Sequence, residues 1–178
     1  MIYITDSFLD PQTFKDLQDY CNQPFETKTV GDKQFSVLQT PNNLIPLLQM
    51  DGHTLILTFL RSAYKGFDED ARIHCDYTIN QQKTDVASVL YITESKSGTA
   101  FFEHHKYGYK APEDLSNEEF DRLLMEDAND LTKWKQCDFI SARENRLLIY
   151  DAKYWHSKWP SKIKKSIRKV LVCFYARN

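Results

Sequence analysis

The 178-residue sequence has no apolar run of membrane length, and Asp6 interrupts the N-terminus before a signal-peptide core can build, so a cytoplasmic protein is expected. Its four cysteines, Cys21, Cys75, Cys137 and Cys173, lack the paired spacing of a metal finger. Cys75 and Cys173 also fall inside expected strands. Reduced thiols of an intracellular chain are therefore expected in place of a disulfide framework. Neither sign of charge dominates: 23 basic residues face 25 acidic ones, for a net charge of −2. That balance gives no global reason to expect a nucleic-acid or membrane partner. No internal repeat and no low-complexity segment occurs.

What is present suits one folded domain, 1–178, with a good core. Hydrophobic residues make up 42% and charged residues 27%, an ordinary soluble balance. Aromatic residues make up 13%, which favours strands and a substantial pocket. Ile2 to Thr5 reads as a short strand. Asp10-Pro11 opens a helix, with Asp as cap and Pro in the first turn, and Phe14, Leu17 and Cys21 share one face. Phe25 to Val30 and Gln34 to Leu38 form a hairpin around Gly31-Asp32. Pro41 to Met50 is a loop entering a short helix, and Thr54 to Tyr64 a strongly apolar strand. Further strands are expected at Arg72 to Ile79, Val86 to Thr93, Thr99 to Glu103, Cys137 to Ala142, Asn145 to Tyr150 and Arg168 to Tyr175, with a polar loop from Asn80 to Asp85. Between them, about 104–136 reads as a helical insertion. Asp114 or Ser116 would cap its helix, and Phe120, Leu123, Leu124 and Leu131 would make its apolar face. The pattern predicts a mainly β sandwich or barrel with supporting helices.

The chemistry concentrates in Arg72-Ile73-His74-Cys75-Asp76-Tyr77-Thr78-Ile79. Side-chain character alternates, so His74 and Asp76 project from one face. An imidazole beside a carboxylate is two thirds of the 2-His-1-carboxylate set that binds non-haem Fe(II). His156, in the aromatic stretch Tyr154-Trp155-His156, is the best third ligand. Its plain alternative is a hydrogen-bonded, partly buried histidine. Arg168 shares a strand face with Val170, Val172 and Phe174. It would grip a planar anion with two hydrogen bonds, or snorkel to water from an edge strand.

His74-x-Asp76, then Val89-Leu-Tyr-Ile-Thr93, Ser97-Gly98-Thr-Ala-Phe-Phe102, Asn145-Arg-Leu-Leu-Ile-Tyr150, His156 and Arg168 follow one another in an order that resembles the 2-oxoglutarate/Fe(II)-dependent oxygenases, the prolyl-hydroxylase-like branch above all. The resemblance spans about residues 70 to 178. It implies a double-stranded β-helix, or jelly roll, with iron at its open end. Carried over by position, His74, Asp76 and His156 would hold Fe(II). Arg168 would bind the distal carboxylate of the co-substrate 2-oxoglutarate, with Tyr91 hydrogen-bonding the same group unless it is a core aromatic. The implied reaction is that of a dioxygenase: O₂ is consumed, succinate and CO₂ are released, and a substrate is hydroxylated. The resemblance leaves that substrate, a small molecule or a peptide, unidentified, with a prolyl or other protein side chain as the leading analogy.

Other readings stay open. The same triad can hold a catalytic Zn²⁺ for hydrolysis, and a jelly roll can be a non-catalytic binding module. His104-His105 is an ordinary loop pair or places one ring at the pocket mouth. The basic run Lys158, Lys162, Lys164, Lys165, Arg168, Lys169 is a solvated loop or a rim that attracts an anion. Trp155 and Trp159 stack on a substrate or close the core.

Overall fold

Two antiparallel sheets face each other across the core of the computed structural model, which describes residues 1–31, 33–68, 70–79, 81–160 and 167–178. The strands are β1 (Ile2–Thr5), β2 (Glu26–Val30), β3 (Lys33–Gln39), β4 (His53–Ala63), β5 (Thr78–Ile79), β6 (Gln82–Lys83), β7 (Val86–Tyr91), β8 (Gly98–His104), β9 (Trp134–Ser141), β10 (Arg146–Asp151), β11 (His156–Trp159) and β12 (Arg168–Arg177). The major sheet has seven strands in the order β1-β10-β7-β12-β4-β3-β2, and the minor sheet has three in the order β11-β8-β9. This is the expected mainly β, jelly-roll architecture. No helix among the described residues is long and apolar enough to cross a membrane.

Strand alternation sorts side chains onto the two faces of the major sheet. Ala87, Val89 and Tyr91 of β7, Leu148 and Tyr150 of β10, and Val170 and Phe174 of β12 point inward with Phe101 of β8. Leu90, Leu147, Leu171, Cys173 and Tyr175 point outward and pack with Phe14 and Leu17 of helix α1 (Pro11–Tyr20) and with Cys21, which caps its C-terminal end. That helix begins as the sequence predicts: Asp10 accepts from the amides of Gln12 and Thr13, and Pro11 occupies the first turn. A 3₁₀ turn, Asn42–Leu48, adds Leu44 and Leu48 to the same outer cluster. All four cysteines are free; Cys21, Cys75 and Cys173 are buried.

Several expectations require correction. The segment 72–79 is not a strand throughout. Only Thr78–Ile79 belongs to a ladder, a two-stranded hairpin with β6 inside the expected polar loop. Upstream, the backbone is shared among unrelated partners: Ile73 donates to Ala128 O at 2.9 Å, His74 exchanges bonds with His156, and Asp76 donates to Ala152 O at 2.8 Å. The alternation is real, but no single neighbour runs alongside it. No strand is expected at His156–Trp159; it forms β11, which pairs antiparallel with β8. The helix α2 (Asn117–Arg122) is capped by Ser116 in a capping box with Glu119, and passes into a π turn, Leu123–Asp127. Leu131 lies beyond it in a separate 3₁₀ turn and is 54% exposed, so it is not part of the helix's apolar face. The carbonyl that ends the π turn, Ala128 O, is the one Ile73 uses, so the helical segment braces the stretch carrying His74. Asp32, Asn80, Lys162, Lys164 and Lys165, named in the expected turns and basic run, lie outside the described residues.

Candidate metal centre

His74 and His156 are joined by their own backbones. The His74 amide donates to His156 O at 3.0 Å and the His156 amide to His74 O at 2.8 Å, an isolated antiparallel bridge between residues 82 positions apart. Opposed residues on paired chains project to the same side, and the imidazole centroids stand 4.5 Å apart. Asp76, two residues on, turns its carboxylate to the same point: Oδ1 lies 3.8 Å from His74 Nε2 and Oδ2 3.2 Å from His156 Nε2. One donor atom from each of the three residues lies within 4.8 Å of the others. A metal about 2.1 Å from each donor would hold neighbouring donors about 3 Å apart, so the cluster is close to ligating size.

The ring tautomers suit a metal as well. His74 Nδ1 lies 2.8 Å from Arg72 O and His156 Nδ1 2.9 Å from Tyr154 O. A carbonyl only accepts, so each Nδ1 carries a proton and each Nε2 faces Asp76, where a metal would take its lone pair in the neutral ring. Desolvation followed by the neighbouring His156 holds His74 below the usual imidazole range, which favours the neutral ring a metal needs. For His156, desolvation opposes protonation but the Asp76 carboxylate outweighs it and raises the pKa. Desolvation likewise opposes ionisation of Asp76, and His156 more than offsets it, so the carboxyl lies below its ordinary value.

These side chains line one end of a cavity of about 340 Å³. Its wall is apolar, from Phe59, Val89, Val172 and Phe174, and Arg168 also lines it. Arg168 is not on an edge strand, because β12 lies between β7 and β4. The residue is 6% exposed, its guanidinium carbon sits 5.6 Å from the Tyr91 ring centroid, and its Nε has no hydrogen-bond partner among the described residues. Tyr91 is not among the lining residues; its hydroxyl is 2.7 Å from Thr99 Oγ1, and its ring supports Arg168. Lys158 also faces the cavity and is no solvated rim residue: its ammonium donates to Asp68 O at 2.6 Å, and burial pushes its pKa down to about 8. Lys169 points the other way, onto Cys21 O and the Phe25 ring.

Arg72 grips Asp70 at the cavity's edge through several hydrogen bonds, and this pair also borders a wider cleft lined by Trp159, Phe67, Gln34 and Asn129. The histidine pair is placed elsewhere. His104 is buried against Trp134 and Tyr107 with Nε2 3.0 Å from Asp127, and His105 is exposed. Trp155 is fully buried in the core outside the minor sheet. Sequence reasoning missed Tyr150, whose hydroxyl donates to Asp76 Oδ2 at 3.2 Å and lies 3.1 Å from His156 Nε2. The only available signal was its inward parity on the strand leading to His156.

The fold is shared with solved structures at identities too low to carry more than fold. The non-haem alpha-ketoglutarate-dependent carbocyclase SnoK from nogalamycin biosynthesis superposes with a TM-score of 0.70 at 11% identity, over 98% of this chain and 78% of SnoK. HygX from Streptomyces hygroscopicus, solved with nickel, 2-oxoglutarate and hygromycin B, gives 0.60 at 9% identity, over 99% of this chain and 83% of HygX. An oxidoreductase of the 2OG-Fe(II) oxygenase family from Burkholderia pseudomallei gives 0.60 at 11% identity, over 99% of this chain and 86% of the other. No curated protein matches the sequence. Residues 69–166, more than half of the chain and including His74, Asp76 and His156, match the family model described as a family of unknown function, DUF6445, and the chain belongs to that family.

Proposed function

We propose that this protein is an Fe(II)- and 2-oxoglutarate-dependent dioxygenase that hydroxylates a C–H bond. The observation that carries the reading is the cavity itself: two imidazoles and a carboxylate converge at one end, and a buried arginine whose Nε has no partner among the described residues lines the same cavity. His74 Nε2, His156 Nε2 and Asp76 would hold the metal on one face, leaving the opposite positions for co-substrate and O₂. Bound there, Fe(II) and 2-oxoglutarate would supply the oxidising power for hydroxylation, with succinate and CO₂ as by-products.

The protein's part is binding and exclusion. Arg168 would take the far carboxylate in a charge-assisted pair, with Lys158 adding a second buried cation to the same cavity. Phe59, Val89, Val172 and Phe174 would keep water from the metal. Substrate would enter from the wider cleft, past the Arg72–Asp70 pair. The prolyl-hydroxylase-like motif order favours a protein side chain, proline foremost. The hygromycin B bound by HygX, which shares the fold, favours a small molecule. A hydrolytic Zn²⁺ at the same triad ranks lower, because it gives the buried Arg168 no task.

The test uses protein purified without oxygen. Wild type is expected to retain iron and to convert 2-oxoglutarate to succinate, and mass spectrometry of candidate peptides and small molecules would show a gain of one oxygen in the true substrate. Asp76→Ala is expected to lose iron retention and turnover together. Unchanged turnover in that variant removes the triad assignment, and stoichiometric zinc with no 2-oxoglutarate binding removes the oxygenase reading.

A further inference from the structure

Tyr150 touches two of the three candidate ligands without belonging to the motif. Its side chain is 2% exposed and its ring is wedged edge-on between Phe101, at 5.2 Å, and His156, at 4.7 Å. The hydroxyl is therefore held in place by ring packing from β10, a strand paired on both sides by β1 and β7. It has one proton to give. His156 Nε2, 3.1 Å away, can accept because that ring's proton is on Nδ1, and Asp76 Oδ2 accepts at 3.2 Å. A metal that takes the Nε2 lone pair removes His156 as an acceptor. Asp76 Oδ2 then remains as the hydrogen-bond partner of the phenol among the described residues. Asp76 Oδ1 faces His74 Nε2 at 3.8 Å and has no donor of its own among the described residues.

We propose that Tyr150 is a positioning residue of the metal centre: its hydroxyl holds Oδ2, so that Asp76 meets the metal through Oδ1 alone. The inference rests on the Fe(II)/2-oxoglutarate reading and sharpens it. A carboxylate free to swing can bind through both oxygens and occupy a position that the reaction needs open. One hydrogen bond to Oδ2 opposes that and fixes the carboxylate's rotation.

Tyr150→Phe removes one atom and keeps the ring packing. Metal-free Y150F is expected to keep the wild-type circular dichroism spectrum. Its Fe(II) dissociation constant, titrated without oxygen, is expected to rise about 10–100-fold, the usual range for an outer-shell partner. The visible charge-transfer absorption that appears when 2-oxoglutarate chelates Fe(II) is expected to weaken or shift, a signal that a purely structural role would not move. Wild-type metal affinity and an unchanged band in Y150F overturn the role of Tyr150 and leave the oxygenase reading standing. Weaker metal binding in Y150F, in a protein whose wild type takes metal but never 2-oxoglutarate, upholds Tyr150 and overturns the oxygenase reading. A wild type that binds no metal overturns both.

Discussion

Arg168 shows how a single residue can be legible in its chemistry and not in its surroundings. Its parity with Val170, Val172 and Phe174 is written in the sequence, and all four line the cavity. That its Nε is buried without a partner among the described residues is a fact of packing. A buried guanidinium with one N–H left unpaired is costly, so a ligand carboxylate should relieve the site as well as bind to it. Arg168→Ala is expected to weaken 2-oxoglutarate by about 1.5–3 kcal/mol, roughly 10- to 150-fold in dissociation constant, with the metal-free thermal midpoint no lower than wild type. Calorimetric titration of the iron-loaded protein under nitrogen checks it, and equal affinity in both proteins would contradict the assignment. Tyr91 is expected to share that carboxylate unless it is a core aromatic. Its hydroxyl lies against Thr99 and its ring beneath the guanidinium, an arrangement that no spacing in the chain encodes.

Among the elements, the minor sheet was the hardest to read. β11 is His-Ser-Lys-Trp, and His156, Ser157 and Lys158 are all buried. Strand signals in a sequence are apolar alternation, and a strand that turns polar groups into a site does not show it. Ser157 is satisfied by Ala71 O at 2.7 Å and Lys158 by Asp68 O, partners nearly 90 residues away that only the fold supplies. β8 was found readily, and its first residue explains how closely it lies to β9. A Cβ built on Gly98 would come 2.0 Å from Ile140 O, which is backbone and cannot move aside cheaply. Gly98→Ala is expected to cost roughly 1–3 kcal/mol of stability. The check is a urea melt, expected to show a lower midpoint with an unchanged slope; a midpoint equal to wild type would show that β9 yields without penalty.

At the scale of the whole molecule, the chain's beginning is fastened to its second half. β1 forms the outer edge of the major sheet beside β10, and just past it Asp6 meets Arg146 Nε at 2.6 Å and Arg143 at 3.1 Å. The hydrogen bond from Arg146, with further help from Arg143, holds the Asp6 carboxyl down to about 2, against an ordinary 3.8. The folded state thus takes up this proton later than the unfolded chain does. The stabilisation is complete above about pH 4 and is lost as the pH falls toward 2. Because Asp6 is exposed, the effect should be modest and sensitive to salt. Thermal midpoints of wild type and Asp6→Asn, compared from pH 2 to 7, are expected to be separated above pH 4 and to converge near pH 2. A separation that does not change with pH would rule out the linkage.

Much was determined by residue order alone. Alternation in the strands that became β7, β10 and β12 set which side chains face inward, the Asp10-Pro11 and Ser116–Glu119 caps began the two helices, and two-residue spacing put His74 and Asp76 on one side. These features are local, and local sterics and hydrogen bonding settle them. Only the tertiary structure decided that His156 stands beside His74, that Tyr150 holds Asp76, and that segment 72–79 is an extended stretch sewn to several partners. Each of those depends on contacts across more than 50 residues, where the cost of closing the loop is met by the packing of both sheets together.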